Sequence, residues 1–204
     1  MKKTASAEYP ITGLLAERWS PRAFADRPVE PMALRHLFEA ARWAASSFGE
    51  EPWYYIVATR ENPAEFQKLL SCLVEANQRW ARNAPVLALS VARTRLAKDG
   101  SPNLHAWHDV GAASATLSIE ATTLGLSVHQ MAGFDPNRAR EVFAIPAGYD
   151  PVATMAIGYG GDPESLPEPL RSRELSPRKR KPLSDFVFSG GWGQAAPFVE
   201  PGSK

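Results

Sequence analysis

The sequence predicts a mixed α and β fold in one domain of 204 residues, and three observations carry that reading. Apolar stripes at helical period alternate along the chain with short strand-like runs. The clearest helix signal is Pro31–Ala45, where Leu34, Leu37, Phe38 and Ala41 recur at i, i+3, i+4 and i+7 behind a proline suited to a first turn. Strand-like runs stand at Trp53–Thr59, Pro85–Val91, Leu126–Met131 and Pro151–Tyr159. The first of these is apolar almost throughout, which predicts a central strand covered on both faces.

Ile11, Leu14 and Leu15 give Ile11–Arg18 a helical face, and Pro21 ends it. Asn62-Pro63-Ala64-Glu65 has the form of a helix start, with Asn as cap, Pro in the first turn and Glu three residues after the cap. Phe66, Leu69, Leu70 and Leu73 continue that helix as a buried face, predicted to run to near Asn77. Thr94–Leu104 is a polar loop with Gly100 and Pro102, the natural place for a mobile segment over a site. Ala106–Leu124 is a helix closed by Gly125. Its many small residues suit close packing on a symmetry mate or on another helix of the same subunit. Asp135 and Pro136 open a further helix that runs to Phe143. Pro177 and Pro182 argue against helix across the basic run Arg171–Lys181, and Leu183–Phe188 reads as a last short apolar element. The tail, residues 189–204, carries Trp192 and Phe198 and is expected to lie along a groove, of a partner subunit in one reading.

Composition narrows the function classes. The chain is 44% hydrophobic and 22% charged with a net charge of +1, ordinary for a soluble protein and without the global field that nucleic acid or a membrane surface would need. The single cysteine, Cys72, excludes an internal disulfide and reads as a packed thiol. The four histidines form no spaced ligand pair, so no metal site is expected. No apolar leader and no run of 18 apolar residues occurs, which predicts a cytoplasmic location. The glycine-rich loops of dinucleotide and nucleoside-triphosphate sites are absent.

Three stretches could carry a site. Arg18-Trp19-Ser20-Pro21-Arg22 offers two guanidiniums and a hydroxyl in five residues, either a solvated basic turn or a grip on phosphate. Ala44–Trp53 joins a helix to a strand through Ser46, Ser47, Gly49, Glu50 and Glu51, either a capped turn or a loop that lets a ligand approach backbone. Arg178 and Arg180 make a second basic, non-helical segment. No aromatics interleave with it, which argues against single-stranded nucleic acid. A phosphate monoester carries about two negative charges, which two arginine pairs and Ser20 would match. Asn77 either caps a short helix or contacts a ligand.

Taken in order, these motifs resemble the FMN-dependent nitroreductase family. The resemblance rests on Arg18-x-Ser20-x-Arg22-x-Phe24, on Ser46-Ser47-Phe48-x-Glu50-x-Pro52-Trp53, and on Asn77 followed by Trp80 and Ala84-Pro85. It continues through Asp109-Val110-Gly111-x-Ala113, Gly125-Leu126 and Gly133-Phe134-Asp135 to Arg178-x-Arg180-Lys181-Pro182-Leu183, so it spans nearly the whole chain. It implies a nitroreductase-like α+β fold: a small central mixed β-sheet flanked by helices, in an intertwined homodimer with two sites at the subunit interface. FMN would bind there without a covalent bond. By resemblance, Arg18, Ser20, Arg22, Arg178 and Arg180 hold the ribityl phosphate and nearby oxygens. Ser46 and Ser47 come from the other subunit and line the flavin, with Phe48 near the substrate space. Asn77 bonds the isoalloxazine edge, and Ala132 and Gly133 present backbone N–H groups near flavin N5.

The implied activity is ping-pong transfer of electrons from NADH or NADPH through FMN to a nitroaromatic, quinone or similar small acceptor, with no acid–base residue from the protein. Gly49 and Glu51 depart from the family pattern, where Asn and Gln are frequent. They motivate an alternative, a flavin-binding dimer without efficient turnover.

Overall fold

The computed structural model describes residues 3–199. Its centre is a four-stranded sheet in the order β1 (Trp53–Thr59), β2 (Val86–Arg93), β4 (Tyr149–Tyr159), β3 (Leu126–Met131). All three strand pairs run antiparallel. The expected mixed sheet is therefore corrected to an antiparallel one. The connections explain why. Thr59 faces Val86, so the chain leaves β1 and enters β2 at the same end of the sheet. The long connection from β2 through α5 (Ala106–Thr123) does bring β3 parallel to β2, but β4 inserts between them and pairs with both.

Strand β2 is the covered centre, buried from Val86 to Ala92. Alternation sends Leu87, Leu89 and Val91 to one side, onto Phe66, Leu69, Leu70 and Trp80. It sends Val86 and Ala88 to the other, onto Leu37, Ala113 and Leu117. Helices therefore cover both faces, an α+β arrangement of three layers. The first layer is α3 (Pro63–Leu70) with α4 (Glu75–Ala81), and the third is α2 (Pro31–Arg42) packed on α5. The central role expected for Trp53–Thr59 is corrected: β1 is an edge strand in which only Ala58 is buried. Apolar content alone did not separate a twice-covered strand from an edge strand that presents Tyr54 and Val57 to the surface.

Local chemistry sets the helix ends. Asn62 Oδ1 accepts from Glu65 N–H at 3.4 Å, and Asp135 Oδ1 accepts from Asn137 and Arg138 N–H at 2.9 and 3.0 Å ahead of α6 (Pro136–Phe143). Gly125, at φ +69°, turns the chain out of α5. The helix expected to run from Pro63 to near Asn77 is two helices. Between them Asp135 N–H donates to Cys72 O at 2.7 Å and Val74 N–H to Gly133 O at 3.1 Å, so residues 72–74 pair with a distant turn instead of continuing the helix. Cys72 is buried in that break.

The N-terminal region has one short helix, α1 (Gly13–Glu17). The basic run expected to be non-helical begins in α7 (Leu170–Leu175), and its prolines keep only the stretch beyond Ser176 out of helix. In the tail Ala196 and Val199 are buried, while Trp192 stands 96% exposed against Phe188. No groove of the described residues covers Trp192, and residues 200–204 of the expected tail lie outside them. Among the described residues no helix is long and apolar enough to cross a membrane, and no cluster of ligand side chains could hold a metal ion.

Candidate active site

Where α1 ends, the chain turns through Ser20-Pro21-Arg22 against β3 and against the segment after α7. The His129 ring on β3 fixes that turn. Its Nδ1 lies 2.8 Å from Pro21 O, and a carbonyl only accepts, so Nδ1 carries the proton. The imidazole packs on Trp80 with centroids 4.6 Å apart. Burial, aided by the charge of Arg22 and opposed by the bonds to the Pro21 and Ser20 backbone, lowers the His129 pKa from 6.5 to about 4. At neutral pH the ring is neutral.

Glu174, in α7, holds the same turn from the other side. Its Oε1 accepts from Arg22 N–H at 2.8 Å and Ala23 N–H at 3.1 Å. Arg178 closes the arrangement by donating to Lys3 O at 2.9 Å and Ala16 O at 2.7 Å. The result is a cleft of about 230 Å³ lined by Lys3, Arg18, Ser20, Arg22, Arg178 and Arg180, together with Arg173 and Glu174.

The electrostatics are those of an anion site. Burial, and then the neighbouring charge of Arg180, lowers the pKa of Arg18. Burial, followed by Arg18 and Arg180, lowers that of Arg178. Among the described residues no carboxylate pairs with Arg18, Arg178 or Arg180 within 4.0 Å. Among the described residues Arg18 bonds only Ser20 Oγ, at 3.4 Å, so most of its donors meet no acceptor there. Arg18, Arg178 and Arg180, gathered with the first two partly desolvated and no carboxylate in reach, call for an anionic ligand.

The Gly133 turn comes after the end of β3, a few residues beyond His129. Asn77 Nδ2–H donates to Gly133 O at 3.0 Å. A Cβ on Gly133 would stand 2.6 Å from Asn77 Nδ2 and 3.0 Å from Val74 Cγ2, so the glycine is there for close approach. Asn77, Ala132 and Gly133 are thus neighbours on the β3 edge, with Ala132 exposed and Gly133 half-buried.

Ser46 and Ser47 stand elsewhere. They open a loop in which Phe48, Gly49 and Glu51 have φ of 54°, 66° and 44°. Left-handed backbone at two non-glycine residues costs on the order of 1–3 kcal/mol each and persists only where surroundings enforce it. Here Ser46 Oγ accepts from Glu51 N–H at 3.1 Å, and Ser47 N–H donates to the buried Asp109 Oδ2 at 2.9 Å. The Glu50 carboxylate takes Arg93 Nη2 at 2.7 Å and Ala97 N–H at 2.9 Å, which ties the loop to the Thr94–Leu104 segment. The strain also accounts for Gly49. Phe48 is left 94% exposed. The depression lined by Ser46, Gly49 and Glu51 shares no residue with the basic cleft.

One chain therefore brings together Arg18, Ser20, Arg22, Arg178 and Arg180, and separately Asn77, Ala132 and Gly133. It does not bring Ser46, Ser47 and Phe48 to the cleft. Sequence reasoning missed His129 and Glu174. His129 sits inside a strand pattern, and its partner Pro21 is 108 positions away. Glu174 left one signal, a lone acid beside Arg171, Arg173 and Arg178. Asp109 stood in a quoted motif without a role.

Comparisons with known proteins bear on the family and the fold. Residues 15–159 match the Nitroreductase family. A Mycolicibacterium smegmatis chain, described as an uncharacterized 15.4 kDa protein in the ask 5' region, is 37% identical over 124 residues, 61% of this chain and 82% of the other. A Stenotrophomonas maltophilia protein provisionally named an NADH dehydrogenase/NAD(P)H nitroreductase is 26% identical over 163 residues, 71% of this chain and 81% of that one. A crystal structure of an oxidoreductase containing FMN superposes with a TM-score of 0.87 at 36% identity, over 92% of this chain and 95% of its own. A nitroreductase family protein from Clostridium difficile 630 gives 0.67 at 25% identity, over 87% and 96%. The chain belongs to the nitroreductase family, and its antiparallel α+β sheet is the nitroreductase-like fold.

Proposed function

We propose that this chain is an FMN-dependent NAD(P)H oxidoreductase that works as a homodimer with active sites at the subunit interface. The observation that carries the reading is the cleft of Arg18, Ser20, Arg22, Arg178 and Arg180, whose positive charge is largely unanswered within the chain. Its donor set fits a ribityl phosphate: guanidinium forks and the Ser20 hydroxyl would meet the terminal phosphate oxygens. The superposed FMN-containing oxidoreductase and the nitroreductase name of the Stenotrophomonas relative support the choice of cofactor and donor.

Each residue then has a part. Arg18, Ser20, Arg22 and Arg180 would hold the phosphate, and Arg178 would keep the N-terminal segment in place beside it. Asn77, already turned onto Gly133 O, would bond the flavin edge, and Ala132 and Gly133 would offer backbone N–H to the ring. Ser46 and Ser47 of the partner subunit would complete the cavity, consistent with their distance from the basic cleft in one chain. Phe48 would face the acceptor space. When bound, FMN would supply the redox chemistry, two-electron transfer between NADH or NADPH and a nitroaromatic, quinone or similar small acceptor. The protein binds, orients and excludes water; no side chain at the cleft is needed to move a proton.

A second reading, a flavin-binding dimer without efficient turnover, is motivated by Gly49 and Glu51, which depart from the pattern the family resemblance implies. Steady-state oxidation of NADH and NADPH with a quinone and with a nitroaromatic separates the two. Turnover with parallel double-reciprocal lines is expected. Flavin-loaded protein that consumes neither nucleotide with either acceptor would leave the second reading standing.

A further inference from the structure

A buried acid stands among the cations of the cleft, and half of its carboxylate is unused. Glu174 is 1% exposed. Its Oε1 takes the two consecutive backbone donors of Arg22 and Ala23. Its Oε2 receives no hydrogen bond among the described residues and faces Arg22 Nη1 at 4.0 Å. Lys3 donates its ammonium to the Glu174 carbonyl. Arg178 turns its Nη1 onto two carbonyls, whereas the Arg22 guanidinium makes no hydrogen bond among the described residues.

Two facts need a common cause: a buried carboxylate oxygen without a donor, and a guanidinium a little beyond bonding distance of it. Leaving a buried carboxylate oxygen unmet is costly. A negative charge beside an anion site would also weaken that site if it did nothing else. A guanidinium has two usable edges. With one edge on Glu174, the other is presented to the cleft in fixed orientation. Closing 4.0 Å to a charge-assisted bond takes a shift of about 1 Å.

We propose that Glu174 is a positioning residue of the anion site: it pins the Ser20–Arg22 turn through two backbone N–H groups and seats the Arg22 guanidinium between its Oε2 and the phosphate oxygens of the ligand. This rests on reading the cleft as the FMN phosphate site. The opposite account, in which Glu174 only lowers the charge of the cleft, predicts the reverse sign when the acid is neutralised.

The test is a double-mutant cycle on FMN binding to the full chain, with circular dichroism confirming that each variant is folded. Glu174→Gln keeps an acceptor for the two backbone donors and removes the seat for Arg22. Its FMN dissociation constant is expected to rise about tenfold, and the rise is expected to vanish when Arg22→Ala is already present. Arg22→Lys, which leaves the backbone pin intact but cannot bridge as a fork, is expected to show a similar loss and keeps the claim testable if Glu174→Gln does not fold. Tighter or unchanged binding in Glu174→Gln, or an equal loss in the Arg22→Ala background, would overturn the proposal. If the parent chain takes up no FMN, the flavin reading fails on its own, and the same cycle is run with inorganic phosphate. Coupling there supports the role of Glu174, and no coupling or no phosphate binding overturns it.

Discussion

Arg18→Ala is expected to weaken FMN binding by about 1.5–3 kcal/mol, roughly ten- to 150-fold, the usual worth of hydrogen bonds to a charged group. Three features place the effect there. Arg18 is half-buried, with its pKa lowered first by burial and then by Arg180. Its one partner among the described residues is Ser20 Oγ at 3.4 Å, so removing it strands no carbonyl there. It lines both the basic cleft and the larger groove beside it. Arg180→Ala is expected to fall toward the lower end of the same range, because Arg180 is exposed and gives one donor to Lys179 O. Arg178→Ala is a poorer probe, since it also releases Lys3 O and Ala16 O. Fluorescence titration of FMN at low and moderate salt reads the effect. Unchanged affinity in both Arg18→Ala and Arg180→Ala would mean that the phosphate lies elsewhere.

The second large effect is a loss of stability in mild acid that traces to His129. Its folded pKa is about 4, against an ordinary value of 6.5. Between those two values the unfolded chain binds a proton at this position and the folded chain does not. Stability is therefore fully present above pH 6.5, falls as pH drops through that window, and stops falling from this cause below about pH 4. A shift of this size corresponds to about 3 kcal/mol across the window. Urea unfolding at about pH 7.5, 5.5 and 4.5 measures it, with His129→Asn as the reference that cannot titrate there. The difference between parent and variant should shrink toward acid pH by about that amount. A difference that stays constant with pH would show that the ring is not held neutral by burial. Because the same ring holds Pro21 O, this loss reports on the turn that carries Ser20 and Arg22.

Much of the fold was legible because its signals are local. The caps at Asn62 and Asp135 and the αL glycine at Gly125 each act within a few residues. The ranges of Trp53–Thr59 and Leu126–Met131 as strands also come from local pattern. What was not legible depends on contacts made across the chain. Trp53–Thr59 looks central by composition and lies at the edge because β4, far later in the chain, takes the other side of β2. The helix after Pro63 stops at Leu70 because Gly133 and Asp135 supply backbone partners that no helical pattern announces.

The site divides the same way. Arg18, Ser20, Arg22, Arg178 and Arg180 were found from motif order, and the structure gathers them in one cleft. Glu174 and His129, which hold that cleft in shape, bond to backbone atoms 152 and 108 positions away, and backbone atoms carry no sequence signature. Ser46, Ser47 and Phe48 were equally visible in sequence, yet the structure keeps them away from the cleft, and the role proposed for them needs a second subunit.

The most direct measurement is the absorbance spectrum of the purified protein, loaded with FMN where needed, before and after anaerobic addition of NADH and, separately, NADPH. An FMN-dependent NAD(P)H oxidoreductase shows an oxidised-flavin band that is retained through gel filtration and bleaches with at least one of the two nucleotides. A protein that takes up no FMN, or one whose flavin band survives both nucleotides, would contradict that assignment.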